Sequence, residues 1–442
     1  MKTDQLVDSL SAALKSSSSD EIQAYCESKR EAPTRFANNQ ITFEAETEQT
    51  MVTFRSYRGK RIGTAKVNGL GREGLEDAVR RADESAAHVP EFDDVVLPLG
   101  PQEMPRSAPV PLLEEDFAPE TRGRIVELAC RRGRKEKIQC AGYVAIMREA
   151  RTIVTSRGLT AHSETNIIDC SLTARTEDGK GSGWSGGWAP HLKDIDADAI
   201  IDRAIDLAHK SAGAEAIEPG SYPVVLSPIA TEYFLYNWSH HLDAHMIHKG
   251  LSSLSGEKDQ QGLHQPRIGE QVMSSAITVK RQIDHPLVRT FAFDRDGVPS
   301  KPITYVENGV LKNIHYTLPY AIQTGEAPTG EKDILLMEGS KKTVEQLISG
   351  IDHGVFVNRV WYVRWVDPKE LVVTGLTRDG TFWIEDGEIK RPTKNLRFNE
   401  SLVKLFSEVK EIGETTRYWV WPYVSPAMSA PSFHFTSSTD SI

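Results

Sequence analysis

The sequence predicts an α+β protein: an N-terminal unit mixing helices and strands, a middle α+β unit, and a β-rich C-terminal unit with a central helix. Three observations predict it. At 442 residues the chain is too long for one ordinary core. Helical and alternating apolar patterns succeed one another in the first half, while the second is dominated by short β-prone runs joined by Asn-Gly and Asp-Gly turns. A proline-dense stretch, with Pro98, Pro101, Pro105, Pro109 and Pro111, reads as an extended connector. The boundaries fall at 1–97, a connector at 98–118, 119–217 and 218–442.

Taken in order, residues 3–14 have helical periodicity and stop at the serines 16–19, a polar break. Strands follow over 21–27, 33–38, 41–49, 50–57 and 61–67. The alternation of Thr50, Val52 and Phe54 against Met51, Thr53 and Arg55 fits a half-buried strand. Residues 72–87 return to a helix, with Leu75, Val79 and Ala82 on one side. The middle unit opens with a helix at 121–132, and the cations Arg131, Arg132, Arg134, Lys135 and Lys137 suit a helix C-terminus. Strands at 138–147, 152–155, 160–168 and 170–176 lead to the glycine-rich run 181–188. It lacks the Lys-Ser/Thr ending of a phosphate loop and reads as a bend before a helix at 197–212. In the last unit, strand 222–226 precedes a histidine-rich helix at 231–250 with Thr231 or Ser227 as N-cap. Strands are expected at 303–307, 310–316, 355–363, 371–376, 381–385, 388–390 and 432–436, and a helix at 402–412.

Composition narrows the function. A net charge of −10 gives no broad basic face for nucleic acid. The four cysteines, Cys26, Cys130, Cys140 and Cys170, are scattered without a C-x-x-C pair, as reduced core residues are. The first 20 residues lack the cationic start and unbroken apolar core of a signal peptide, and no stretch has the apolar length of a membrane span. A soluble cytoplasmic protein is expected. No G-x-S-x-G motif marks a serine nucleophile.

The chemistry-bearing stretch is 231–250, which holds His240, His241, His245 and His248. On one helix, 234, 238, 241, 245 and 248 share a face, and imidazoles one turn apart can share a metal. A His-Glu-x-x-His zinc protease has its general base directly after the first histidine. Here Leu242 follows His241, and the nearest carboxylate is Asp243. The candidate zinc ligands are therefore His241 and His245, or His240 and His245, with His248, Asp243 or Asp284 as the third and Asp243 as the candidate base. The bland alternative is that the histidines continue the Phe234/Trp238 face into a core or an interface.

The run 293–299 (Phe-Asp-Arg-Asp-Gly-Val-Pro), followed by 305–312 (Tyr-Val-Glu-Asn-Gly-Val-Leu-Lys), resembles the C-terminal signature of the TldD/PmbA family. So do 378–389, with Asp386-Gly387, the run 220–226, and 52–67 with Arg55 and Gly63. The resemblance spans about residues 20–436, in order. It implies a cytoplasmic heterodimeric protease of TldD and TldE (PmbA, "modulator of DNA gyrase") subunits that admits unfolded peptide to an enclosed site. TldD-type subunits carry His-Glu-x-x-x-His on the corresponding helix and a cysteine near the C-terminus as zinc ligands; TldE-type subunits lack them. Here His240 and His245 stand five apart, but His241 takes the Glu position, and no cysteine follows Cys170. Anchored instead on Lys249-Gly250, only His240 matches a ligand and Leu235 replaces the first histidine. These departures imply a TldE-like subunit without a metal, partnered by a TldD-like subunit or a second copy, with an extended peptide as substrate. The competing expectation is a self-contained zinc hydrolase built on residues 240–248.

Overall fold

The computed structural model describes residues 3–105, 114–283, 285–288, 290–332, 335–418 and 423–439. Two sheets dominate. The first collects α1 (Thr3–Leu14), β1 (Glu21–Ala37), β2 (Gln40–Glu44), β3 (Thr47–Arg58), β4 (Arg61–Asn68) and α2 (Arg72–His88) with the elements beyond the connector. Those are α3 (Pro119–Glu136), β5 (Ile138–Thr155), β6 (Thr160–Thr176), β7 (Ser182–Ala189) and α4 (Ala197–Lys210). Its strand order is β4-β3-β1-β5-β6-β7, with β2 on β1, and each pair is antiparallel. β1 pairs with β3 on one side and with β5 on the other, in register from Gln23↔Thr155 to Phe36↔Gly142. Residues 1–97 and 119–217 thus share one sheet, and the connector joins its halves. Each half keeps its own apolar cluster. Leu10, Val52, Phe54, Val79 and Ala82 pack under α1 and α2, while Val126, Ile138, Val144, Ile201 and Ala204 pack under α3 and α4.

The glycine-rich run 181–188, expected as a bend, is strand β7. Its glycines let α4 lie directly on it. A Cβ on Gly183 would stand 2.2 Å from the Ala204 carbonyl oxygen, and one on Gly181 2.2 Å from that of Ala208. Only a backbone without side chains accepts a helix that close.

The C-terminal unit begins with β8 (Gly220–Leu226), α5 (Pro228–Ser239), α6 (Ala244–His248), β9 (Ser255–Lys258), β10 (His264–Pro266) and β11 (Val279–Arg281). It continues with β12 (Ile303–Glu307), β13 (Val310–Leu311), α7 (Leu318–Thr324), β14 (Leu335–Met337) and α8 (Val344–Ile348). The last elements are β15 (His353–Asp367), β16 (Val372–Glu385), β17 (Glu388–Pro392), β18 (Asn395–Ser401), α9 (Leu402–Ser407), β19 (Glu411–Thr416) and β20 (Tyr423–Thr439). An 11-stranded sheet runs β13-β12-β11-β14-β20-β18-β16-β15-β8, and β8 also pairs with β20. The path β8-β15-β16-β18-β20 therefore closes on itself. The expected turns at Asn308-Gly309 and Asp386-Gly387 join β12 to β13 and β16 to β17, with positive φ at all four residues. α5 packs on the closed ring and is buried nearly all round: Phe234, Leu235 and Trp238 enter one cluster with Val224, Phe398, Phe433 and Phe435. A helix apolar on every side belongs inside a core, and this is the central helix the sequence predicts.

Candidate functional site

The histidine segment is not one helix. Ser227 caps α5 by accepting the Ala230 N–H, with Pro228 in the first turn. The helix ends at Ser239, and His240–Leu242 form a single 3₁₀ turn. Asp243 is then extended (φ −66°, ψ 120°), and its carboxylate accepts the Met246 N–H at 3.1 Å, starting α6 afresh. The break is fixed from outside: His315 N–H donates to the Leu242 carbonyl at 2.7 Å, and Ala244 N–H to that of His315 at 2.8 Å. A continuous helix would need those groups for its own ladder. The expected face 234, 238, 241, 245, 248 is therefore corrected to two faces of two short elements.

Each histidine has its own surroundings. His241 is buried, and both ring nitrogens are engaged. Nδ1 accepts the Ser253 N–H at 2.9 Å and lies 2.8 Å from the Ser253 hydroxyl, while Nε2–H donates to the Pro368 carbonyl at 2.8 Å. Burial, with a lesser push from neighbouring His240 and Lys332, drives its pKa down to about 4. His240 is half-buried and edge-on to Tyr236 and Trp365, with centroids at 5.0 and 5.4 Å. Burial lowers its pKa as well. His245 is exposed and edge-on to Tyr320 at 5.0 Å. His248 Nδ1 bonds the Tyr320 hydroxyl at 2.7 Å. Among the described residues, no three His, Cys, Asp or Glu side chains are placed to hold a metal. The segment as folded does not fit a zinc site: one expected ligand is committed to the backbone, and the Asp243 carboxylate serves as a helix cap. Asp284, the further candidate ligand, lies outside the described residues.

The loop 293–299 that carries the family signature is a staple between the two sheets. Phe293 packs with Tyr25, Ile153 and Leu159 of the first sheet. Arg55 reaches Asp296 at 2.6 Å, and Gln23 donates to the Arg295 carbonyl. The Asp294 carboxylate accepts the N–H groups of Asp296 and Val298, and burial raises its pKa to about 6. Asp294 and Asp296 hold a turn and a seam.

Two features escaped the sequence reading. Glu232 stands on α5 as a 2% exposed carboxyl whose Oε1 has no hydrogen-bond partner. A carboxylate inside an apolar helical run is the signal that was there to find. The second is an aromatic arm. β8 pairs with β15 only over 355–357, so from Arg359 onward β16 is its one ladder partner. That free edge displays Trp361, Tyr362, Trp365 and Val366, with Tyr362 64% and Trp365 42% exposed. Trp365 donates its indole N–H to Asn237 of α5 at 2.6 Å, so the arm runs beside His240.

With this architecture in view, two profiles of one family cover most of the chain. Residues 115–212 match the PmbA/TldA metallopeptidase central domain and residues 219–438 its C-terminal domain. The chain belongs to the PmbA/TldD family. Over 98% of its length it is similar in fold to TldE from Thermococcus kodakarensis, with a TM-score of 0.87, 19% identity and 99% of that chain covered. A proposed modulator of a DNA gyrase from Thermotoga maritima superposes with a TM-score of 0.84 at 21% identity, over 98% of this chain and all of that one (100%). In sequence it is 24% identical over 294 residues to a metalloprotease of Methanothermobacter thermautotrophicus, covering 61% of each chain. It is 24% identical over 217 residues to a zinc metalloprotease TldD homolog of Saccharolobus solfataricus, covering 44% of each. The chain thus spans about half to three fifths of these curated relatives. No helix among the described residues is long and apolar enough to cross a membrane.

Proposed function

We propose that this chain is a TldE-like subunit that holds no catalytic metal itself and completes the peptide-enclosing site of a TldD-type metalloprotease. The observation that carries the reading is the break at Asp243 together with the doubly engaged His241 ring, which leaves residues 240–248 without a convergent ligand set. The free edge of β15 supports the peptide-binding half of the proposal. An extended peptide can use open main-chain groups and aromatic side chains on such an edge.

The test is elemental analysis of untagged protein, beside His240→Ala/His245→Ala, which spares the buried His241. The expected result is no stoichiometric zinc in either, no peptide cleavage by the chain alone, and co-elution with a TldD-type subunit bearing His-Glu-x-x-x-His. Zinc near one equivalent, lost in the double variant, would instead establish the self-contained hydrolase.

A further inference from the structure

Two buried carboxyls, Asp169 on β6 and Glu232 on α5, feel each other's charge apart from the histidine segment. Asp169 lies on β6 and is 1% exposed; its Oδ2 accepts the Tyr143 hydroxyl at 2.5 Å, and its Oδ1 has no partner. Directly across the strand pair is Trp188 of β7, whose buried indole N–H is also without a partner. Arg417, from the C-terminal unit, places its guanidinium 4.0 Å over the Trp188 ring and is electrostatically coupled to both Asp169 and Glu232. Glu232 approaches from α5 with its own unpartnered Oε1. One cation therefore faces two buried carboxyls, and the leftover acceptors find no donor among the described residues.

Two carboxylates with a single cation in such a place are not tolerated. Desolvation penalises each charge, and the two repel. We propose that Glu232 is a neutral-acid latch: carrying its proton it lets α5 stay buried in its place, and losing it to alkali loosens α5. The other titratable groups facing the pair are Tyr143 on β5, Cys170 on β6 and Tyr233 beside Glu232, with Arg359 against Tyr233. Burial raises Cys170 to about 12 and pushes Tyr233 upward, so neither ionises near neutral pH. Burial is also the largest influence on the pair: it raises Asp169 to about 6 and Glu232 well above the usual carboxylate range.

The sign follows from linkage. A carboxyl whose folded pKa is raised contributes its full stability below the unfolded pKa and loses it as pH climbs through the folded value. Asp169 completes this near pH 6, in a range where histidines also titrate. Histidines of the unfolded chain still titrate at about pH 6.5 and its thiols at about pH 8.5, so the share of Glu232 is read as the difference between wild type and Glu232→Gln at each pH.

The experiment takes the full chain from about pH 6.5 to 8.5, recording the urea midpoint and hydrogen exchange of peptides covering α5, corrected for intrinsic rate. The expected wild-type result is a midpoint that falls with pH and α5 exchange that accelerates about tenfold per unit while Glu232 is ionised in the opened state and still protonated in the folded one. Glu232→Gln, which keeps shape without charge, should remove that part of both profiles. Asp169→Asn removes the negative neighbour and should move the transition to lower pH, which a purely structural role for Glu232 does not require. A wild-type profile flat over this range, a Glu232→Gln profile identical to wild type, or an Asp169→Asn transition that stays in place would each overturn the latch. If Glu232→Gln fails to fold, wild type and Asp169→Asn decide the matter.

Discussion

At His241 the imidazole commits both nitrogens to the chain, one to the Ser253 amide and the other to the Pro368 carbonyl. Replacing it with alanine leaves a buried N–H and a buried C=O unpaired, a loss of about 2–4 kcal/mol in denaturant unfolding, with metal content unchanged. The same burial makes a pH prediction. His241 and His315 are both held near pKa 4, below the ordinary histidine value of 6.5. The unfolded chain then binds more protons than the folded one between those limits. Each ring contributes a fall in stability as pH drops from about 6.5 towards 4, by up to about 1.4 kcal/mol per pH unit, against the opposite contribution of the buried Asp169, Asp294 and Glu232 carboxyls. The wild-type slope less that of His241→Gln should equal one ring's contribution, and identical slopes would contradict the burial argument. None of this was legible from spacing, because hydrogen bonds to Ser253 and Pro368 join residues 12 and 127 positions away.

At the scale of elements, β7 and α4 show close packing written in glycine. Gly183→Ala should place a methyl group against the Ala204 carbonyl at 2.2 Å and lower stability by about 1–3 kcal/mol. Gly123→Ala, in α3 with nothing within 4 Å of the new Cβ, should raise it by about 0.5–1 kcal/mol. Equal effects in thermal or urea unfolding would remove the packing explanation. The glycine run was visible in the sequence, but its use was not, since a flat strand under a helix and a bend have the same local composition. α5 and α6 show the converse. Asp243 was read as a helical residue or a base, whereas its neighbours' bonds to His315 make it the N-cap of a new helix.

At the scale of the molecule, α5 packed on the closed ring β8-β15-β16-β18-β20 has almost no exposed face, and the 293–299 loop ties that unit to the first sheet. β15 beyond Val357 leaves an open edge with an aromatic row. If this edge receives peptide, Trp361→Ala/Tyr362→Ala should weaken binding of an unfolded peptide by about tenfold or more, a loss of at least about 1.4 kcal/mol. The unfolding midpoint should fall only modestly, since Tyr362 is 64% exposed and Trp361, 37% exposed, loses chiefly its contacts with the Arg359 and Arg378 guanidiniums. Unaltered peptide affinity in fluorescence titration would shift the binding surface elsewhere.

The sequence by itself determined the mixed α+β character, the two glycine hairpins, the central apolar helix and the family, because each rests on local chemistry or on motifs kept in order. Tertiary structure alone decided that the first two units share a sheet, since the pairing of β1 with β5 joins residues more than 100 apart. It also decided the fate of the histidines. A helix is a local proposal by the chain, and at Asp243 the hydrogen bonds from His315 override it. Ligand geometry is set by that long-range contact and not by spacing along 231–250.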